Sequence, residues 1–361
     1  MMDTTSHSFM GDVFQQAANL PFADLHFCHD PASQLQAIIA IHSTELGPAL
    51  GGTRFIPYPD TDRAVNDALR LAKGMTYKAA INHLCYGGGK AVILYPDQLK
   101  NRHALLGAYG DFVESLGGRY ITAVDSGTSP RDMDIIADRT AHVVCTTKQM
   151  AGTGDPSPYT ARGVLYGIQA ALKAHCGSDQ ISAKHIAVQG AGHVGYALIK
   201  MLHEQGAVIS VCDTSESALK ACVDEFGCNV VSVDDIYDVE CDVFSPCALG
   251  QSITQQTLPR LKASIIAGSS NNQLSNEKLG EQISKAGILY APDYVINSGG
   301  LLQIGYIDQA EMINEKIEQI YNTLLTIFEK AEQQKKPTHY IADRQAEAVI
   351  RKHMADSASR A

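Results

Sequence analysis

Residues 185–213, HIAVQGAGHVGYALIKMLHEQGAVISVCD, decide the fold. The short apolar run Ile186-Ala187-Val188 reads as a buried strand. Val194, Ala197, Leu198, Met201 and Leu202 then recur at i, i+3, i+4, i+7 and i+8, one face of a helix, and residues 208–211 read as a second strand. Between strand and helix stands Gly190-Ala191-Gly192-His193-Val194-Gly195, with the spacing G-x-G-x-x-G. That triplet alone is a weak signal, since a glycine-rich strand–helix turn can hold nothing. Its surroundings strengthen it: a strand before, a helix after, and Asp213 closing the second strand 23 residues beyond Gly190. Gly190 permits the tight turn, Gly192 lets a pyrophosphate approach the backbone, and Gly195 lets helix and strand pack closely. The helix terminus offers unpaired N–H groups and a partial positive charge to the phosphates. Asp213 can accept hydrogen bonds from ribose hydroxyls and would repel an added 2′-phosphate. No arginine follows it closely, so NAD is expected rather than NADP.

Working outward, strands at 243–244 and 264–267 continue the strand–helix alternation, which predicts an α/β fold with a parallel sheet covered by helices. Ile313, Ile317, Ile320, Leu324, Ile327 and Phe328 mark a long amphipathic helix over about 308–336, ended by Pro337 and read as packing and oligomer contact. Toward the N-terminus, AGTGDPSP (151–158) reads as a hinge. Residues 35–41, LQAIIAI, read as a buried strand, and LGPALGGTR (46–54) as a loop. Asp60 and Thr61 cap a helix whose inner face carries Val65, Ala68, Leu69 and Ala72. Gly87-Gly88-Gly89-Lys90 reads as a tight loop entering a strand at 91–95. A strand at 120–123 ends in Val124-Asp125-Ser126-Gly127, and residues 1–20 read as a loosely held start. Two domains are expected: a catalytic and assembly domain over 1–145, rejoined by 340–361, and a Rossmann NAD-binding domain over 146–339.

Composition excludes several classes. The 361 residues include 29 lysines and arginines against 39 acidic residues, a net charge of −10, so nucleic acid and anionic membranes are not expected as partners. No stretch reaches the ~18 consecutive apolar residues of a membrane span, and residues 1–10 carry neither the basic start nor the apolar core of a secretory signal. Nine scattered cysteines without a C-x-x-C pair suggest free thiols and a cytoplasmic setting. His26 and His29 have a metal-like spacing but no further ligand placed to complete a site, and no metal is expected. Cys247 is read as a buried structural thiol, and His83, between the two lysines in sequence, is assigned no role.

Two lysines in the first half stand in unusual surroundings: Lys78 in KGMTYK (73–78), and Lys90 after three glycines. A lysine on a helix is ordinarily a solvated charge. Three glycines, however, let a ligand approach the backbone, and two nearby ammonium groups, one buried, depress a pKa. One lysine can then act as a general base while the other binds a carboxylate. Asp125, at a strand end, would be a complementary proton carrier or simply a loop cap.

The segments LGPALGGTR (46–54), LRLAKGMTYKAA (69–80), GGGKAVI (87–93), RYITAVDSGTSPRDMD (119–134), GDPSPYTARGV (154–164), PCALG (246–250), AGSSNNQLS (267–275) and YAPDYVINSGG (290–300) together resemble the glutamate, leucine, phenylalanine and valine dehydrogenase family, closest to its leucine dehydrogenase branch. The resemblance runs in order from about residue 27 to about residue 350. It implies reversible oxidative deamination of an L-amino acid to a 2-oxo acid and ammonia, with hydride passing to NAD. It further implies Lys78 as the α-carboxylate anchor, Lys90 as the base that activates water, and Asp125 as the proton shuttle. Thr160 would contact the nicotinamide amide, Asn271 and Asn272 the nicotinamide ribose, and Asn297 the substrate amino group. Ala248 would lie on the cofactor path, with His193 and Val194 at the dinucleotide turn. Family members form homo-oligomers, dimers to octamers, through the first domain.

The resemblance also places Leu50, Gly51, Ala123, Leu301 and Ile304 around the substrate side chain. Glutamate dehydrogenases carry a lysine in place of Leu50 and a serine in place of Ile304. Burying a side-chain carboxylate against these apolar residues would cost several kcal/mol, so glutamate is not expected as substrate. Leucine dehydrogenases commonly carry valines at the last two positions. A shallower pocket is therefore expected here, favouring valine and 2-aminobutyrate-like substrates alongside leucine and isoleucine, with broad use because a methylene discriminates only ~10–200-fold. Two departures stand out: Val124 where glutamate is usual, and SGGLLQIGYID after Asn297. Two rival readings are a phenylalanine dehydrogenase and an NAD-binding regulator without turnover.

Overall fold

The structure is a computed structural model that describes residues 24–248, 250–307 and 309–359. The start expected to be loosely held lies outside the described residues. The chain divides into two compact units. The first comprises 1–80, 85–151 and 357–361, and the second 81–84 and 152–356.

The first unit is built on a five-stranded sheet in the order β1-β2-β4-β3-β5. Its strands are β1 (Asp24–Asp30), β2 (Leu35–Ser43), β3 (Ala49–Ile56), β4 (Gly87–Leu94) and β5 (Tyr120–Val124). β2 runs antiparallel to β1 and β4, while β3 lies parallel to both β4 and β5. Helix α1 (Thr61–Ile81) starts where Asp60 Oδ1 accepts from the Arg63 N–H at 2.7 Å, and it buries Val65, Ala68, Leu69 and Ala72 against Ile38 and Val92. Helices α2 (Arg102–Glu114), α3 (Pro130–Ala137) and α4 (Thr147–Thr153) complete the unit up to its boundary. Asn101 caps α2, and Ser129 and Asp132 form a capping box on α3.

Two segments expected to be loops are central strands. Residues 49–54 belong to β3, and the glycines 87–89 belong to β4. The glycines make room for protein rather than for a ligand. A Cβ on Gly51 would overlap the Gly89 carbonyl, one on Gly88 would overlap the Thr76 backbone of α1, and one on Gly89 would lie 2.7 Å from the Tyr120 ring. Glycine usually weakens a strand, but here it is the residue that fits.

The second unit holds a six-stranded, wholly parallel sheet in the order β11-β10-β9-β6-β7-β8. Its strands are β6 (His185–Gln189), β7 (Val208–Cys212), β8 (Asn229–Val230), β9 (Val243–Pro246), β10 (Ile265–Ile266) and β11 (Leu289–Tyr290). The first strand β6 sits mid-sheet with β7 and β9 on either side, so the chain reverses direction across the sheet there. This is the doubly wound topology expected from residues 185–213. The helices are α5 (Ser157–Cys176), α6 (His193–Glu204), α7 (Glu216–Phe226), α8 (Lys278–Lys285), α9 (Asp293–Ile296), α10 (Gly299–Gly305), α11 (Ala310–Gln334) and α12 (Thr338–Ala358). The amphipathic face expected on α11 is buried throughout. Lys335, at φ +51°, ends α11 before Pro337.

Sequence reading missed α12, which Pro337 starts as well as separates. It also expected 340–361 to rejoin the first domain, whereas residues through 356 fall in the second unit. Hydrogen bonds hold α12 there: the Thr338 hydroxyl donates to the Tyr290 carbonyl at 2.6 Å, and the Tyr294 hydroxyl donates to Asp343 at 2.8 Å. The expected domain boundary at 145/146 compares with a unit boundary at 151/152.

Because Gly88 meets the helix backbone rather than a flexible side chain, Gly88→Ala should destabilise the protein by ~3 kcal/mol. This would be read as a fall in the urea midpoint with the slope unchanged.

Candidate active site

In the first unit, β4, β3 and β5 bring Lys90, Arg54 and Asp125 together. Lys90 is buried, and its Nζ pairs with Asp125 Oδ2. Asp125 begins the turn that leaves β5. That turn is tied back to β3: the Phe55 N–H donates to the Ser126 carbonyl at 2.9 Å, and the Thr128 hydroxyl donates to the Thr53 carbonyl at 3.0 Å. The Ser126 N–H donates to Asp125 Oδ1 at 2.6 Å. The aspartate is therefore fixed on both oxygens, and a bare loop cap does not describe it. Lys78, on the last turn of α1, is also buried.

The second cation at Lys90 was not foreseen. Arg54 Nε lies 3.5 Å from Asp125 Oδ2, while its Nη1 donates to Asp67 Oδ2 at 2.6 Å. The Tyr58 hydroxyl donates to the same Asp67 oxygen at 2.6 Å. The expectation was that Lys78 would depress Lys90. Burial is the main cause that lowers the Lys90 pKa from its ordinary 10.5, Asp125 opposes it, and Arg54 adds to the lowering. For Asp125, burial pushes the carboxyl up, but the Lys90 and Arg54 charges outweigh it and hold it well below the carboxylate range. One carboxylate facing two cations stays ionised, and a buried lysine with only a share of that carboxylate loses its proton more readily.

Leu50, Gly51 and Ala123 lie together on adjacent strands. Leu50 is opposite Gly88, Ala123 is opposite Gly52, and all three are buried. Val124 ends β5, immediately before Asp125.

In the second unit, the turn after β6 has the geometry expected of it. Gly190 adopts φ +102°, and a Cβ there would lie 2.8 Å from the Ala248 nitrogen. A Cβ on Gly195 would overlap the Gly190 carbonyl, so α6 packs hard on the strand end. Gly192 differs: a Cβ there would meet nothing within 4 Å. It caps α6 without a side-chain hydrogen bond, leaving the helix N–H groups beside open space. Asp213 stands at the end of β7, accepting from the Ala191 N–H at 2.6 Å and from the Ser215 N–H at 2.8 Å. Its position and the space at Gly192 fit a dinucleotide. Val194 occupies the first turn of α6, where His193 is exposed, with Nδ1 3.8 Å from Asp155.

Asn297 is buried. Its Nδ2 donates to the Ser269 carbonyl at 2.9 Å and to Asn271 Oδ1 at 2.6 Å, leaving its own Oδ1 without a donor. Asn272 adopts φ +52° and presents its carbonyl to the Gln251 N–H at 2.8 Å. The Thr160 hydroxyl donates to the Pro156 carbonyl at 3.2 Å on α5. Leu301 and Ile304 lie on α10, Leu301 buried and Ile304 half-buried.

Among the described residues, no group of three or more His, Cys, Asp or Glu side chains could hold a metal ion. His26 and His29 are three residues apart on β1 and so face opposite sides of the sheet. The nine cysteines are free thiols, and no described helix is long and apolar enough to cross a membrane.

A doubly wound dinucleotide-type unit and a unit with a buried lysine–aspartate pair define an oxidoreductase of the two-domain dehydrogenase class. Residues 25–142 match the Glu/Leu/Phe/Val dehydrogenase dimerisation domain, and residues 152–222 and 214–355 match Glutamate/Leucine/Phenylalanine/Valine dehydrogenase. The leucine dehydrogenase of Geobacillus stearothermophilus is 47% identical over 94% of this chain and 93% of its own. The phenylalanine dehydrogenase of Lysinibacillus sphaericus is 45% identical over 89% and 86%. The crystal structure of L-tryptophan dehydrogenase from Nostoc punctiforme superposes with a TM-score of 0.77 at 42% identity, covering 94% of this chain and 99% of that one. The chain belongs to the Glu/Leu/Phe/Val dehydrogenase family and is an amino acid dehydrogenase, a kind of enzyme that works with a nicotinamide cofactor.

The depressed Asp125 carboxyl has a consequence for stability. A group whose folded pKa is lowered adds stability above its ordinary value, here 3.8, and loses it as pH falls toward the folded value. Asp125→Asn should therefore be less stable than the parent at pH 7. The gap should narrow steadily below pH 3.8 in urea titrations across pH.

Proposed function

We propose that this enzyme catalyses NAD-dependent reversible oxidative deamination of branched-chain and other aliphatic L-amino acids, valine, leucine and isoleucine among them. The observation that carries the reading is the buried Lys90–Asp125 pair, with Lys90 pushed toward its neutral form. Lys78 binds the α-carboxylate as a buried cation. Lys90, deprotonated, takes a proton from the attacking water, and a base whose pKa lies near the working pH is the efficient one. Asp125 holds Lys90 in place and passes protons to and from the substrate nitrogen. The unpaired Oδ1 of Asn297 accepts from the substrate amino group. Leu50, Gly51, Ala123, Leu301 and Ile304 supply the apolar surface for the side chain, and a carboxylate among them would have no partner.

Gly190, Gly192, Gly195, His193, Val194, Asp213 and Ala248 hold the dinucleotide, with Thr160, Asn271 and Asn272 at its nicotinamide end. A nicotinamide held there would supply the acceptor for the substrate's α-hydride. Asp213 favours NAD by accepting from the ribose hydroxyls and repelling a 2′-phosphate. The protein acts in the cytoplasm as a homo-oligomer assembled through the first unit.

The test is NADH formation from a panel of L-amino acids at alkaline pH. Valine, leucine and isoleucine should turn over and glutamate should not. Phenylalanine or tryptophan as best substrate would overturn the aliphatic reading, and no turnover despite NAD binding would favour a regulator. Lys90→Ala should lose ~10²–10⁴-fold in kcat; full turnover in that variant would refute the mechanism. Asp213→Ala should raise KM for NAD and lower the NAD-over-NADP preference at least ~tenfold, measured as the ratio of kcat/KM values.

A further inference from the structure

We propose that Arg54 is a positioning residue for the acid–base pair: clamped by Asp67, it divides Asp125 between itself and Lys90 and so sets how readily Lys90 gives up its proton. The inference rests on the reading of Lys90 as the base. Its burial and four contacts carry it. The guanidinium is buried, with only 11% of its side chain exposed. One edge is spent on Asp67, whose Oδ2 also takes the Tyr58 hydroxyl. Its Nε faces Asp125 Oδ2 at 3.5 Å without forming a hydrogen bond. That oxygen is the one Lys90 uses. A fully hydrogen-bonded Arg54–Asp125 pair would take the carboxylate away from Lys90, and no arginine at all would leave it wholly to Lys90. Asp67, by claiming Nη1, holds Arg54 between these two limits.

The charges around Lys90 allow the sign to be worked out. Arg54 on β3 disfavours the ammonium, while Asp125 at the end of β5 and Asp67 on α1 favour it. The charges that act on Lys90 are these three; other ionisable groups on the packed elements include Arg70, Lys73, Tyr77 and Lys78 on α1, His42 on β2, Tyr58 before α1, Tyr109 on α2 and Tyr120 on β5. His42 is neutral, since burial, aided by Lys73, pushes its pKa down to about 4. Burial pushes Tyr58, Tyr109 and Tyr120 up, so they are neutral as well. None of these groups changes in the variants below. Removing the charge at Arg54 should therefore raise the Lys90 pKa, and neutralising Asp67 should lower it. A residue that merely braces the sheet would not give opposite signs.

The experiment compares pH profiles of kcat and kcat/KM for the parent enzyme, Arg54→Met, Arg54→Lys and Asp67→Asn. It adds a 13C NMR titration of the Lys90 side chain, assigned with Lys90→Arg. The acid limb should move up by ~1 pH unit in Arg54→Met and down in Asp67→Asn, and stay near the parent's in Arg54→Lys. Unmoved limbs with reduced kcat, or limbs moving the same way, would overturn the proposal. If Arg54→Met fails to fold, Asp67→Asn carries the test alone, and an unmoved Lys90 titration there would refute it. The NMR titration needs no turnover. A Lys90→Ala enzyme that remains active, with opposite shifts still seen by NMR, would therefore sink the base reading and not the role of Arg54.

Discussion

The first sheet has no room for a Cβ at Gly51, Gly88 or Gly89, and Lys90 takes its place from that constraint. β3 and β4 approach so closely at Gly51 and Gly89 that a single Cβ would overlap a carbonyl, and α1 rests on Gly88 through the Thr76 backbone. The contact continues through side chains: the Thr76 hydroxyl donates to the Ala72 carbonyl at 3.3 Å and bonds His42 Nδ1 at 2.9 Å. Lys78 is thereby indexed to β2 and β4, and Lys90 emerges one residue after the glycines. Such packing resists even small shifts, because dense interiors repack at a cost of kcal/mol per methyl.

Electrostatics then separate the roles of residues that look alike in sequence. Lys90 and Arg54 are both buried cations beside Asp125, but only the lysine has a pKa that burial can bring toward neutrality, since a guanidinium stays charged. Arg54 thus serves as a permanent charge and Lys90 as the variable one. Asp125 is pinned as an anion in this arrangement. To carry a proton it must first be released from part of that pairing, so the shuttle role proposed for it depends on deprotonation of Lys90.

The dinucleotide unit was legible in the sequence because its signals are local. The strand, the glycine turn, the helix face and Asp213 fall within 29 residues, and each obeys a short-range rule. The first sheet was harder to read. LGPALGGTR and GGGK look like loops in any short window, because glycine and proline normally break strands. Only the distant partners Gly89, Tyr120 and Thr76 explain why glycine is needed there. Arg54 was missed for the same reason, since its anions lie on a different helix and a different strand. Residues 340–361 were expected to return to the first domain, whereas α12 is held by Tyr290 and Tyr294, contacts that no periodicity announces.

Asn297 shows how the second unit presents a polar group without spending it. Its amide nitrogen is satisfied twice, by the Ser269 carbonyl and by Asn271 Oδ1, and these two acceptors fix which end of the amide is nitrogen. The oxygen is thereby committed as an acceptor, and it is buried without a donor. Leaving such an atom unpaired costs ~1–3 kcal/mol, and that cost is recovered when a ligand N–H arrives. An ammonium group supplies N–H donors and a carboxylate supplies none, so this oxygen suits the amino nitrogen proposed as its partner rather than a carboxylate.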